Sequence, residues 1–173
     1  CQIAAYERLP QRLRDAIEDL HVVYEVRINL SREPFAHTGD VKLQSLATTG
    51  GKIEKRRFSF PRVIHPMVYT QKETGRKVLN VSPGFASGIY EDGGPEGEAL
   101  LHEVVNYCTD PELSYFHEWE QQDMMLWDNW RVLHSATGVP PDESRLMVRT
   151  TITGDYALGR QLGIDGPVAD FDM

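Results

Sequence analysis

Cysteine is scarce in this chain, with Cys1 and Cys108 the only two among 173 residues. Two cysteines give no disulfide framework, so the fold rests on its hydrophobic core. No apolar run is long enough to span a bilayer, and no signal peptide is visible at the start of the sequence. Basic residues are outnumbered, 18 Lys and Arg against 26 Asp and Glu, for a formal net charge of -8 and a pI near 5.2. That balance argues against a nucleic-acid partner, which needs a basic face. No internal repeat and no second composition zone break the chain, so a single domain over residues 1–173 is expected, in the cytoplasm. What remains is ordinary globular material, 40% hydrophobic and 25% charged.

Along the chain, Pro10 to Leu20 reads as a short amphipathic helix with Pro at a tolerated first-turn position. Val22 to Ile28 reads as a strand. Residues 29–57 are polar, with Gly50-Gly51 and the basic run Lys52–Arg57, and read as a solvated loop; a lid over a site is the functional alternative. Val63–Thr70 and Lys77–Val81 read as strands of a hairpin whose turn needs Gly75 at positive φ. Pro66 suits an edge or a bulge, because it cannot donate to a ladder. Pro95–Tyr107 reads as a helix, with Leu100, Leu101, Val104, Val105 and Cys108 forming its core stripe. Tyr115–Trp119 and Met124–Trp127 read as strands. The tail from Gly154 reads as irregular.

The segment richest in chemistry is Asp123-Met-Met-Leu-Trp127-Asp128-Asn129-Trp-Arg-Val-Leu-His134, followed by Arg145 and Arg149. An imidazole is a common ligand for iron, zinc or copper. A guanidinium is a planar fork suited to carboxylate or sulfonate. Ala136–Ser144 is a loop by its Gly and Pro-Pro content. Arg145–Ile152 reads as a strand rich in β-branched residues. Alternation puts Arg145, Met147, Arg149 and Thr151 on one face, with the two arginines roughly 13 Å apart along the backbone at ~3.3 Å per residue. Taken alone, that strand reads as a surface strand with two solvated arginines.

The pattern Asp-x-x-x-Trp-Asp-Asn-x-x-x-x-His, with Arg at plus eleven and plus fifteen, resembles the distal half of the active site in the taurine/2,4-dichlorophenoxyacetate dioxygenase family. Further blocks fit in the family's order: Ile3–Pro10, Ile64–Phe85 with its Thr-Gly-Arg turn, and His117-Glu-Trp119. The resemblance covers residues 1 to about 155. It implies a mainly β domain with flanking helices, the C-terminal portion of a double-stranded β-helix (jelly roll, cupin-like). It implies Fe(II) and 2-oxoglutarate as metal and cosubstrate, dioxygen as co-reactant, and hydroxylation of a small anionic sulfonate or carboxylate with release of succinate and carbon dioxide. By the same resemblance His134 is an iron ligand and Arg145 pairs with the far carboxylate of 2-oxoglutarate. Arg149 contacts the substrate anion, Phe85 lines the substrate pocket, and Trp127 and Asn129 pack and position near the metal. His65 and His117 fall in matched blocks and are assigned to structure. His21, His37 and His102 have no identifiable partner. A homo-oligomer is the family-level expectation.

One part of the family pattern is missing. The facial triad takes two ligands from a His-x-Asp or His-x-Glu pair, and neither occurs. His37-Thr-Gly-Asp40 and His117-Glu-Trp-Glu120 place the acid at plus three. The sequence also starts with Cys1 inside a matched block, and truncation of the N-terminal portion is the expectation. Two rivals follow: a relative that binds a small anion without turnover, and a cupin-type binding module or isomerase with another metal set.

Overall fold

The computed structural model describes residues 1–25, 34–35, 61–136, 139–140 and 142–162. The readings made for residues 26–33 and 36–60, which include Lys52–Arg57, and for 163–173 lie outside them. Antiparallel β-sheet flanked by helices makes up the described architecture. In chain order the elements are α1 (Gln2–Arg8), α2 (Gln11–Ile17), β1 (His21–Tyr24), β2 (Val63–Pro66), β3 (Val68–Thr70), β4 (Lys77–Leu79), β5 (Ala86–Ile89), α3 (Pro95–Cys108), a 3-10 turn (Pro111–Leu113) and β6 (Arg160–Gln161).

Four strands form one sheet in the order β5-β1-β2-β6, and β3 and β4 form a separate two-stranded sheet. His21 faces Pro66 and Tyr24 faces Val63 across β1 and β2, while β1 pairs with β5 through a bulge at Val23/Tyr24. The expected strand over 63–70 is thus split. Pro66 ends β2, and Met67, fully buried, turns the chain out of the first sheet and donates its N–H to the Leu20 carbonyl at 2.8 Å. A proline without an N–H is accommodated at such a strand end. The hairpin joining β3 to β4 is as expected. Gly75 has φ +67°, and its N–H bonds to the Gln71 carbonyl at 2.8 Å.

The α3 helix starts at Pro95 behind Gly94, carries Glu96 and Glu98 in its first turn, and buries Leu101, Val104, Val105 and Cys108. Pro at the first position and acids beside the positive helix end are both favourable there. Its stripe packs with Ala5, Leu9, Leu13 and Ile17 of the N-terminal helical segment, and with Val22, Met67, Leu79 and Ala86, in the main core. A second, smaller cluster joins Ile3, Tyr69 and Val78 to Trp130, Tyr156 and Leu158. Cys108 is buried, and burial pushes its thiol up to about 12. No helix among the described residues is long and apolar enough to cross a membrane.

Three expected strands are corrected. Residues 115–119, 124–127 and 145–152 carry no ladder among the described residues. Their composition suits a strand, but a strand exists only when a neighbour accepts its N–H groups and donates to its carbonyls. Without one, their apolar side chains stand in solvent: Phe116 is 75% exposed, Leu146 91% and Val148 91%.

Candidate active site

The site segment hangs from a tight turn. Asp128 takes the Trp130 N–H on Oδ1 at 2.9 Å, and its carbonyl accepts the N–H groups of Arg131 and Val132, both at 3.1 Å. This is the usual way an aspartate closes a local turn. Two outside donors hold the turn in place. Tyr69 Oη donates to the Trp130 carbonyl at 2.6 Å, and the Gln2 N–H donates to the Arg131 carbonyl at 2.9 Å. Burial comes first, and the neighbouring Tyr156 second, in raising the Tyr69 phenol to about 12, which keeps it a donor at any physiological pH.

His134 emerges from this turn exposed, its ring 5.0 Å from that of Trp127. Trp127 is half-buried and donates its indole N–H to Asn129 Oδ1 at 2.6 Å. Trp127, Asn129 and His134 are therefore brought together, with Asn129 fixing the indole that supports the imidazole. Arg145 lines an open cleft of about 740 Å³ whose other wall includes His117, Trp119, Glu120 and Asp123. His134, Arg149 and Phe85 are not among the residues lining that cleft. Arg149 is exposed, and Phe85, 45% exposed, sits between β4 and β5 with its carbonyl accepting the Glu25 N–H at 3.0 Å.

The matched block containing His117 holds a hydrogen-bonded set that sequence reading did not single out. His117 Nε2 lies 3.0 Å from Asp123 Oδ2, and its Nδ1 lies 3.2 Å from Tyr115 Oη. Trp119 meets the imidazole edge-on, with centroids 4.5 Å apart. The Asp123 carboxyl is held below the usual range, first by the Glu120 N–H at 2.9 Å and then by His117. The plus-six spacing of His117 and Asp123 was the available signal, but it needs the turn at Gln121–Gln122, where Gln122 adopts φ +77°, to bring the two together.

A family model described as taurine catabolism dioxygenase TauD, TfdA family matches residues 2–151. The chain belongs to this family. Among TauD/TfdA relatives, an (S)-phenoxypropionate/alpha-ketoglutarate-dioxygenase from Sphingobium herbicidovorans is 30% identical over 154 residues, covering 89% of this chain and 50% of the relative. An alpha-ketoglutarate-dependent sulfonate dioxygenase from Saccharomyces cerevisiae is 30% identical over 135 residues, covering 78% of this chain and 29% of its own length. A solved taurine dioxygenase from Burkholderia xenovorans aligns with a TM-score of 0.48 at 26% identity, over 69% of this chain and 32% of that one. The chain spans about half the length, or less, of the curated TauD/TfdA relatives it matches.

The metal that the TauD/TfdA family implies can be tested against the donors present. His134 fits as one donor: its ring is exposed, and among the described residues its only ring neighbour is Trp127. The rest of a ligand set does not fit. Among the described residues no group of three His, Cys, Asp or Glu side chains could hold an ion. His117 and Asp123 are committed to each other.

Proposed function

We propose that the protein to which this sequence belongs is an Fe(II)- and 2-oxoglutarate-dependent dioxygenase. It hydroxylates a small anionic organic substrate, a sulfonate or carboxylate, and releases succinate and carbon dioxide. The observation that carries this reading is the family match over residues 2–151, a range that includes His134, Arg145 and Arg149. Bound iron and 2-oxoglutarate supply the oxygen chemistry. The chain's own residues bind and orient: His134 donates one ligand, and Arg145 clamps the far carboxylate of 2-oxoglutarate. Arg149 takes the substrate anion, Phe85 lines its pocket, and Trp127 and Asn129 fix the imidazole. Residues 1–173 form the C-terminal portion of a single catalytic domain of double-stranded β-helix type. The protein is cytoplasmic and homo-oligomeric in this reading, with dioxygen and a small molecule as its partners and neither nucleic acid nor membrane.

The incomplete donor set among the described residues favours a second reading, a relative that binds a small anion without turnover. One assay separates the two. The purified protein is checked by intact mass and incubated with Fe(II), 2-oxoglutarate and oxygen, with taurine or an aryloxyacetate as substrate. Iron-dependent succinate supports the dioxygenase. Measurable 2-oxoglutarate binding with no succinate under any substrate supports the anion binder and removes the catalytic reading.

A further inference from the structure

His134, Arg145 and Arg149 lie on one stretch of chain, and both ends of that stretch are held by the same aromatic group. At the front end, Tyr69 of β3 donates to the Trp130 carbonyl at 2.6 Å. At the back end, the Tyr156 ring lies 5.1 Å from that of Trp130 and 5.4 Å from that of Tyr69. Tyr156 Oη donates to Glu73 Oε2 at 2.8 Å and accepts the Lys72 N–H at 3.0 Å, so it is tied to the β3–β4 turn. The Lys72 ammonium stands 4.6 Å over the Tyr156 ring and 3.3 Å from Asp155 Oδ2. Gly154 completes the join: a Cβ there would lie 2.5 Å from the Trp130 indole nitrogen, so only glycine lets the backbone pass. The cluster rests on Ile3 and Val78, both buried.

We propose that Tyr69, Trp130 and Tyr156 form a clasp on the β3–β4 hairpin that positions the segment carrying His134, Arg145 and Arg149. This rests on the dioxygenase reading and adds positioning residues to it. The segment has no ladder of its own among the described residues, so its placement depends on how its ends are anchored. The stretch between Trp130 and Tyr156, pinned at both ends, samples far fewer arrangements than one pinned at a single end. Anchoring both ends on one rigid hairpin makes the two ends release together. The clasp residues touch neither metal nor substrate and act through the segment they hold.

The test compares wild type with Tyr69→Phe, which deletes only the hydroxyl at the front end, and Tyr156→Phe, which deletes the ties to Glu73 and Lys72 at the back. Val104→Ala, in the α3 core, serves as a control of general destabilisation. Hydrogen exchange is read over residues 128–135 and 153–158, and 2-oxoglutarate affinity is read by calorimetry. The expected result is that either tyrosine variant speeds exchange at both ends and weakens 2-oxoglutarate about 3- to 10-fold. Val104→Ala should speed exchange in α3 and leave affinity unchanged. Loosening confined to the mutated end overturns the clasp. Coupled loosening with wild-type affinity overturns its role in positioning. A wild type that binds no 2-oxoglutarate sinks the dioxygenase reading instead, and the clasp then stands or falls on the exchange result alone.

Discussion

Gly159 is the sharpest point at which a single methyl group can be weighed. It precedes β6, the outermost strand of the main sheet, which pairs Arg160 with Ile64 and Gln161 with Val63. The Leu162 N–H adds a bond to the Arg62 carbonyl at 2.9 Å. A Cβ at Gly159 would lie 2.3 Å from His65 Nε2 and 2.4 Å from Cε1. Ordinary carbon contacts need about 3.5 Å or more, so Gly159→Ala requires a shift of roughly 1 Å. His65 cannot swing freely, because its ring meets Tyr24 edge-on at 5.6 Å. Either the packing yields or β6 leaves the sheet. Overpacking costs about 1–3 kcal/mol, and giving up two or three ladder bonds at about 1 kcal/mol each costs much the same. For a chain of this size that lowers the melting temperature by roughly 2–12 °C. Thermal unfolding followed by circular dichroism reads the shift. His65→Ala opens the space, so in the double variant the glycine substitution should cost at least about 1 kcal/mol less than it does alone. A wild-type melting temperature in Gly159→Ala, or strict additivity in the double variant, would show that β6 is not held against His65.

The same histidine sets a pH dependence. Burial lowers the His65 pKa, so the unfolded chain takes up its proton first, near pH 6.5. Stability should therefore fall as pH drops through about 6.5 toward the lower folded value, and His65→Gln should flatten that slope in denaturant titrations at pH 7.5 and 5.5. Asp123 is depressed, so its contribution is present above the ordinary carboxylate range and lost as pH falls through the lower folded value. Asp123→Asn should remove that acid-side dependence. At the site, Arg145→Ala should weaken 2-oxoglutarate by one to two decades, since a charge-assisted contact contributes about 1.5–3 kcal/mol; calorimetry with an unchanged constant would remove Arg145 from that role. His134→Ala should abolish iron-dependent succinate formation and weaken Fe(II) binding measured by equilibrium dialysis, and retained turnover would exclude it as a ligand.

The fold was legible in the sequence where a short stretch carries its own instruction. The α3 helix announces itself through Pro95 and a stripe from Leu100 to Cys108, and the β3–β4 turn through Gly75. The family itself was legible from Trp127-Asp-Asn, His134 and the spacing to Arg145. Misreadings arose where structure depends on a distant partner. Leu146 to Ile152 has strand composition, yet no ladder follows from composition. The α1 helix and the two-residue β6 were missed because one is a single short amphipathic turn pair and the other is defined only by its pairing with β2. His21 looked partnerless in sequence, but its Nδ1 lies 2.6 Å from Glu91 Oε1, seventy residues away. Tyr69 gave no sequence signal either, since its contact at Trp130 is sixty-one residues downstream.

The two cysteines differ in a way that can be put to use. Cys1 is exposed, while Cys108 sits under the α3 stripe with its thiol raised to about 12. Thiolate is the reactive form, so an alkylating reagent at neutral pH should modify Cys1 quickly and leave Cys108 alone while the core is closed. The second modification then proceeds only as fast as α3 lifts away. The chain thus carries its own clock for core opening, readable by mass spectrometry without any added label site.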